Sequence, residues 1–257
     1  MSVLDIVVAA LIGLVSGVLA GLFGVGGGIV MTPGIQVLLG TSGIVALATP
    51  LPVILPTAAT GAITYRRADE IDLRGAAWMA VGGLPAAALG AALTEVLEVS
   101  LLLIATATLL GWQAIGILRG ARGSVSPRAP RRASAAAFVA IGIGAGVVSG
   151  LLGIGGGLVM VPLLAGWLGL PLKRALGTSL AAIVAMVVPG TIVHAWLGNV
   201  DWGIAVAVTF GAVPGAHVGA RLALGTAERT LRLLVGSFML LVAVLYGVQQ
   251  ALDLLRS

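Results

Sequence analysis

Two long apolar runs of this chain are interrupted by the same kind of glycine-rich string. The first string reads GLFGVGGGI over residues 21–29, and the second reads GLLGIGGGL over residues 150–158. Each glycine inside a helix costs about 1 kcal/mol relative to alanine, so five glycines in nine residues are not expected of an unbroken helix. The strings therefore predict that the chain breaks its helix at two equivalent points.

The chain also contains an internal repeat at one fixed spacing. Residues 21 and 150 are separated by 129 positions, and the same separation relates many other residues of the two halves without a gap. Clear examples are Pro33 and Pro162, Thr49 and Thr178, Asp72 and Asp201, and Pro85 and Pro214. The repeat predicts two homologous halves, residues 1–118 and 134–257, joined by a basic linker at residues 119–133.

The composition indicates a membrane protein. Of the 257 residues, 59% are hydrophobic and 9% are charged, whereas about a quarter of the residues in a soluble domain are charged. Most apolar spans are near the ~20 residues that cross a bilayer, and the second span of each half is shorter. The sequence predicts an all-α fold with ten spans, some short or broken, at residues 5–23, 28–40, 45–65, 73–93, 99–118, 134–152, 157–170, 175–197, 202–224 and 230–250.

The basic residues predict the orientation of these spans. Five spans are an odd number, so the second half is inserted upside down relative to the first. When the linker is placed in the cytoplasm, all fourteen basic residues except Arg256 fall on the cytoplasmic side, as the positive-inside rule requires. Both termini are then external, and the fold is two inverted-topology five-span repeats, a plan found in many secondary transporters.

The broken helices suggest a site for a small anion. A helix that starts inside the membrane presents free N–H groups and the positive end of its dipole, and glycine lets an oxyanion approach the backbone. Hydroxyls that begin the third span of each half are further candidates, although such groups also bond back to their own helix. The predicted substrate-binding residues are Gly26, Gly27, Gly28, Thr49, Gly155, Gly156, Gly157, Thr178 and Ser179.

Close helix packing is the alternative role for a glycine in a membrane helix. We expect packing to explain Gly82, Gly83, Gly90, Gly211 and Gly219. Three consecutive glycines cannot all lie on one helix face, so packing alone does not explain residues 26–28 and 155–157.

The two histidines, His194 and His217, are candidates for carrying a coupling proton. His194 lies beside Trp196, which also suits an aromatic belt at the membrane interface. The chain has no cysteine, and two histidines without nearby acids make a poor metal site. We therefore expect no metal, and the basic residues are explained by topology without nucleic-acid binding.

Other motifs of cofactor and enzyme chemistry are missing from the sequence. The glycine strings are followed by Ile29-Val30 and Leu158-Val159, where a phosphate-binding loop needs a lysine and a hydroxyl. The spans contain no nucleophile with an adjacent base. We expect no nucleotide cofactor and no catalytic residue.

The segments GLFGVGGGIVMTP, SGLLGIGGGLVMVP and KRALGTSLAAI resemble the TauE/SafE family of sulfite and organosulfonate exporters. The resemblance covers nearly the whole chain, and the second half matches best. It implies movement of small anions, such as sulfite, sulfoacetate or related organosulfur compounds, across the prokaryotic inner membrane. The first half departs from the pattern, since Ala48-Thr49-Pro50 stands where Gly177-Thr178-Ser179 stands in the second.

The function predicted from these features is secondary transport of a small anion by alternating access. Its partners would be the anionic substrate, membrane lipid and, as a coupling ion, protons; the oligomeric state is left open. Two alternatives of the same class are a permease for another anion, such as a carboxylate, and a channel with glycine-lined re-entrant segments. An intramembrane enzyme is the alternative from a different class and ranks last.

Overall fold

The structure, a computed structural model, describes residues 2–93, 108, 111–112, 114–119, 134–152 and 155–256. This described part contains ten α-helices and no strand, and a π-helix, Leu163–Trp167, directly follows the seventh α-helix and lengthens that span. The helices are α1 Val3–Phe23, α2 Gly28–Leu38, α3 Gly43–Ala48, α4 Pro50–Arg67, α5 Leu73–Leu93, α6 Ala135–Leu152, α7 Gly157–Pro162, α8 Leu172–Trp196, α9 Trp202–Gly225 and α10 Glu228–Arg256. The predicted span 99–118 and the linker 119–133 lie largely outside the described residues.

Four helical stretches in the described part are long and apolar enough to cross a membrane. They are Val3–Phe23, Gly43–Arg67, Leu172–Trp196 and Trp202–Gly225. The second joins α3 to α4, because Thr49 between them keeps helical angles (φ −60°, ψ −34°). Large apolar side chains on the outer surface remain uncovered, including Leu11 at 55% and Phe210 at 77% exposure. Apolar surface of this extent suits lipid rather than water.

The helices break at both predicted points. Helix α1 ends at Gly24, and Gly26 and Gly27 follow with φ angles of 83° and 89° before α2 begins. In the second half, Gly155 and Gly156 have φ angles of 83° and 72° directly before α7. Residues with a Cβ rarely adopt this left-handed conformation, so each break depends on glycine.

Glycine also sets how closely α1 approaches α9. A Cβ added at Gly13, Gly17 or Gly21 would overlap a backbone carbonyl of α9, and one added at Gly211 or Gly219 would overlap a carbonyl of α1. Small residues on both faces allow two backbones to pack directly in a membrane. The expectation that packing explains Gly211 and Gly219 is confirmed.

Helices α5 and α6 are the repeat equivalents of α9 and α1, and they pack against each other in the same way. A Cβ at Gly142 would overlap the Met79 carbonyl, and a Cβ at Gly82 would lie 2.5 Å from the Val139 carbonyl oxygen. Helices α4 and α8 pack against each other at the centre of the bundle, and they also contact α9 and α5, respectively. The buried side chains of these central helices belong to the larger of two apolar cores, to which α6, α7 and α10 also contribute.

Candidate functional site

The two glycine segments, residues 26–28 and 155–157, meet in the centre of the bundle. A Cβ added at Gly26 would lie 3.3 Å from Ile54 and 3.5 Å from Ile183. A Cβ added at Gly155 would lie 3.6 Å from Ile183 and 3.8 Å from Ile54. Ile54 and Ile183 are themselves equivalent residues of the two halves, so the two segments surround one common centre.

The second glycine segment is in direct contact with Gly24 and Val25, the residues just before the first segment. A Cβ added at Gly157 would lie 2.5 Å from the Gly24 carbonyl oxygen and 2.6 Å from the Val25 Cα. All residues from 24 to 28 and from 155 to 157 are buried. A ligand between the segments therefore requires them to move apart.

Each segment leaves free backbone donors at a helix start. Gly27 and Gly156 are the N-caps of α2 and α7, and neither helix has a side-chain cap. The Gly27 carbonyl accepts hydrogen bonds of 3.2 Å from the third and fourth residues of α2. The N–H groups of Gly28 and Ile29 make no hydrogen bond to another described residue. Such N–H groups favour an anion, as does the helix dipole.

Thr49 and Thr178 make matching contacts between the two halves. The Thr178 hydroxyl accepts a hydrogen bond from the Asp72 N–H (2.9 Å) and donates one to the Arg174 carbonyl (2.6 Å). The Thr49 hydroxyl accepts a hydrogen bond from the Asp201 N–H (3.1 Å). Each threonine thus ties one half to the loop before the fourth span of the other half.

Ser179 is the predicted hydroxyl that reaches a helix break. Its Oγ donates a hydrogen bond of 2.8 Å to the Gly24 carbonyl, and the side chain is fully buried. The equivalent residue of the first half is Pro50, which has no hydroxyl. This contact therefore attaches α8 to the first break and has no counterpart from α4.

Ser16 is a candidate that the sequence analysis did not include. It is fully buried in α1, and its Oγ has no hydrogen-bond partner among the described residues. Its carbonyl oxygen lies 3.1 Å from where a Cβ of Gly27 would be, so Ser16 lies beside the first glycine segment. The sequence offers one signal for this residue. Its equivalent in the second half is Ala145, so only the first half carries a hydroxyl at this position.

Thr32 of α2 is a second buried hydroxyl without a partner among the described residues. Its equivalent in the second half is Val161. A buried hydroxyl that makes no hydrogen bond is costly, and the two helices on either side of the first break, α1 and α2, each carry one.

The two histidines hydrogen-bond elsewhere in the bundle. The Nδ1 of His217 lies 3.0 Å from the Thr64 hydroxyl, between α9 and α4. The Nδ1 of His194 lies 3.4 Å from the Asn199 side-chain nitrogen. Neither histidine makes a hydrogen bond to residues 26–28 or 155–157 in the described part of the chain.

Comparison with known proteins connects this arrangement to transport. A model of the family described as "Sulfite exporter TauE/SafE" matches residues 9–246. The chain is 27% identical to the "Probable membrane transporter protein YunE" of Bacillus subtilis, covering 96% of this chain and 97% of that protein. It is 26% identical to YjnA, another "Probable membrane transporter protein" of Bacillus subtilis, covering 90% and 95% of the two chains.

A shorter match is closer in identity. The "Probable membrane transporter protein YdhB" of Bacillus subtilis is 32% identical over 68% of this chain and 73% of its own length. No solved structure matches the chain.

Proposed function

The chain belongs to the sulfite exporter TauE/SafE family of membrane transporters, and from this premise we propose that it moves small anions through the membrane by alternating access. The anions we propose are sulfite, sulfoacetate or related organosulfur compounds. Helices long and apolar enough to cross a membrane are consistent with a multi-pass membrane protein.

One observation carries the proposal: the two glycine segments share a centre around Ile54 and Ile183. In transporters built from inverted repeats, substrates bind where broken helices meet near the midplane. Non-helical backbone at that depth is tolerated only inside the protein or against a cavity, and both segments are buried. The contact of the second segment with Gly24 and Val25 corresponds to a closed state, which must open to admit the anion.

The anion is proposed to bind nearer the first glycine segment. There the free N–H groups of Gly28 and Ile29 lie at the start of an eleven-residue helix. Ser16, whose buried hydroxyl has no partner among the described residues, has its backbone carbonyl beside Gly27. Hydrogen bonds from neutral donors to a charged group are stronger than those between neutral groups. Such a site holds an anion without a buried lysine or arginine.

The finer fold that we propose is ten spans in two inverted halves, residues 1–118 and 134–257. The matching contacts of Thr49 with Asp201 and of Thr178 with Asp72 support it, because a twofold relation between halves exchanges these two pairs. The matching glycine contacts of α1 with α9 and of α5 with α6 support it as well.

The proposed orientation puts the linker in the cytoplasm of a prokaryotic cell and both termini outside its inner membrane. Two contacts support the proposal that basic residues of both halves gather at one end of the bundle. The Lys173 ammonium donates to the Leu224 carbonyl (2.6 Å), and Thr178 binds the loop that follows Arg66 and Arg67. A cysteine at Gly198 should react with a membrane-impermeant reagent from outside intact cells, and reaction only after lysis would overturn this orientation.

Counterflow in proteoliposomes tests the transport function. Vesicles loaded with unlabelled sulfite should accumulate labelled sulfite transiently when they contain the purified protein. Gly27→Leu and Gly156→Leu should abolish the accumulation, because both residues adopt left-handed angles at the breaks. Gly144→Leu is the control, since a Cβ at Gly144 meets nothing within 4 Å. Equal uptake by vesicles with and without protein would reject sulfite transport.

Proton coupling remains part of the proposal and has a separate test. If His194 or His217 carries a coupling proton, an imposed pH gradient should accelerate sulfite flux in the wild type and not in the corresponding glutamine variant. Stimulation that is unchanged in both variants would remove the histidines from the mechanism.

A further inference from the structure

Tyr65 and His194 occupy equivalent positions in the two halves, 129 residues apart near the ends of α4 and α8. The Tyr65 side chain is fully buried, and its hydroxyl donates a hydrogen bond of 3.0 Å to the Gly21 carbonyl. The His194 side chain is half-buried, and among the described residues its hydrogen-bond partner is Asn199, at a long distance of 3.4 Å. The two equivalent places therefore differ in how completely they are closed.

A cavity of about 10 Å³ lies beside His194, enclosed by α4, α5, α6 and α8. Its lining includes Leu51, Ser149, Gly150, Met186, Gly190 and His194. Gly150 is the equivalent of Gly21, the residue whose carbonyl binds the Tyr65 hydroxyl. The residue that Tyr65 binds in one half thus has an equivalent that lines a small cavity in the other half.

Two equivalent leucines, Leu180 beside Gly61 and Leu51 beside Gly190, also pack differently. A Cβ at Gly61, beside Tyr65, would lie 2.8 Å from a methyl of Leu180. At the equivalent Gly190, beside His194, the methyl of Leu51 would be 3.5 Å away. The packing is therefore tighter at the Tyr65 end of the bundle than at the His194 end.

Ser149 is a polar group available to a ligand in the cavity. It is 3% exposed, and it lines the cavity next to Gly150. Together with the imidazole N–H of His194, it can donate to an oxyanion. A space of this size holds about one water molecule, so Leu51 must move aside to admit a larger guest.

We propose that these two places are the two ends of the substrate pathway: the cavity beside His194 is the more loosely packed end, which takes a small oxyanion once Leu51 moves aside, and Tyr65 is the gate that closes the other end. The proposal rests on the proposed function for its ligand and on the unequal packing for its gate. In the orientation proposed above, the loosely packed end faces outward. When the packing tightens around His194 and loosens around Tyr65, the pathway opens to the cytoplasm.

Thiol labelling tests the gate directly, because the native chain has no cysteine. Single cysteines are placed at Ser149 and at its equivalent, Ala20, which is fully buried. Labelling by a small methanethiosulfonate is timed on the purified protein in detergent, where both ends are accessible. The cysteine at position 149 should react at least about tenfold faster, since a closed end reacts only through rare opening.

Substitution of the gate should shift this difference in a defined way. Tyr65→Phe keeps the ring and removes the bond to the Gly21 carbonyl, so labelling at position 20 should rise roughly 3–10-fold, as expected for one hydrogen bond. Exchange of the two side chains, Tyr65→His with His194→Tyr, should reverse the order of labelling. Equal labelling at the two positions in the native background would overturn the proposal, as would no effect of Tyr65→Phe.

Labelling in the presence of a ligand tests this proposal separately from the proposed function. Sulfoacetate, which unlike sulfite does not react with the reagent, should slow labelling at position 149 and leave position 20 unchanged. Unequal labelling without such protection would support the gate and overturn the oxyanion as ligand of the cavity. If the exchanged variant fails to fold, the Tyr65→Phe result decides, because that variant keeps the buried ring.

Discussion

Two serines, Ser16 and Ser179, lie at the first helix break, whereas the equivalent residues at the second break are Ala145 and Pro50. The backbones of the two breaks are nearly the same, with φ angles of 83° at both Gly26 and Gly155. The repeat has therefore kept the geometry of the break in both halves, whereas these two hydroxyls have no counterpart at the second break. We infer that the shared backbone geometry of the two breaks is needed for the fold and for the conformational change. We also infer that the first break contributes more to ligand binding.

The largest expected effect tests the equivalence of the two backbones. Gly26→Leu and Gly155→Leu should each destabilise the protein by about 2–4 kcal/mol, from the left-handed angle together with overpacking against the central isoleucines. Thermal unfolding in detergent, followed by circular dichroism, gives the comparison. A large effect at one residue and none at the other would show that the breaks are not equivalent.

An intermediate loss of stability is expected at the two threonines whose hydroxyls join the halves. Thr49→Val and Thr178→Val should each cost about 1–3 kcal/mol, because the Asp201 or Asp72 N–H loses its acceptor. The same unfolding measurement applies, with Thr191→Val as the control, since its hydroxyl bonds only to its own helix. If Thr178→Val instead raised the KM for sulfite without loss of stability, its hydroxyl would belong to the binding site.

The smallest effect on stability is expected at the first break itself. Ser16→Ala should change the free energy of unfolding by less than about 1 kcal/mol, because the hydroxyl has no partner to lose. Ala145→Ser, which adds a buried hydroxyl at the second break, should be the more destabilising of the two. The opposite order would mean that Ser16 is satisfied by a contact within the fold.

Much of the helical framework could be predicted from the sequence. Helices α1, α5, α6, α8 and α9 begin and end within three residues of the predicted spans, because apolar periodicity, glycine strings and charged loops mark their ends. The positions of the breaks were also predictable, since only glycine adopts the left-handed angles found there. The short second span of each half ends two or three residues earlier than predicted, at Leu38 and Trp167.

The contacts across the bundle could not be predicted in the same way. The hydroxyls of Thr49 and Thr178 bind loops of the opposite half, and a hydroxyl in a sequence carries no sign of which distant N–H it will meet. The same limit applies to Tyr65 and His194, which are chemically unlike. Their equivalence follows from the repeat, but the difference in packing between them is visible only in three dimensions.

Titration with sulfite, read as the thermal unfolding midpoint of the wild type and of Ser16→Ala, tests the central claim that the anion binds beside the first break. A ligand that binds only the native state raises the midpoint in a saturable way. The account predicts such a rise for the wild type and at least about tenfold weaker binding for Ser16→Ala, the value of one hydrogen bond to a charged group. The same half-saturating concentration in both proteins, or no rise in either, would contradict it.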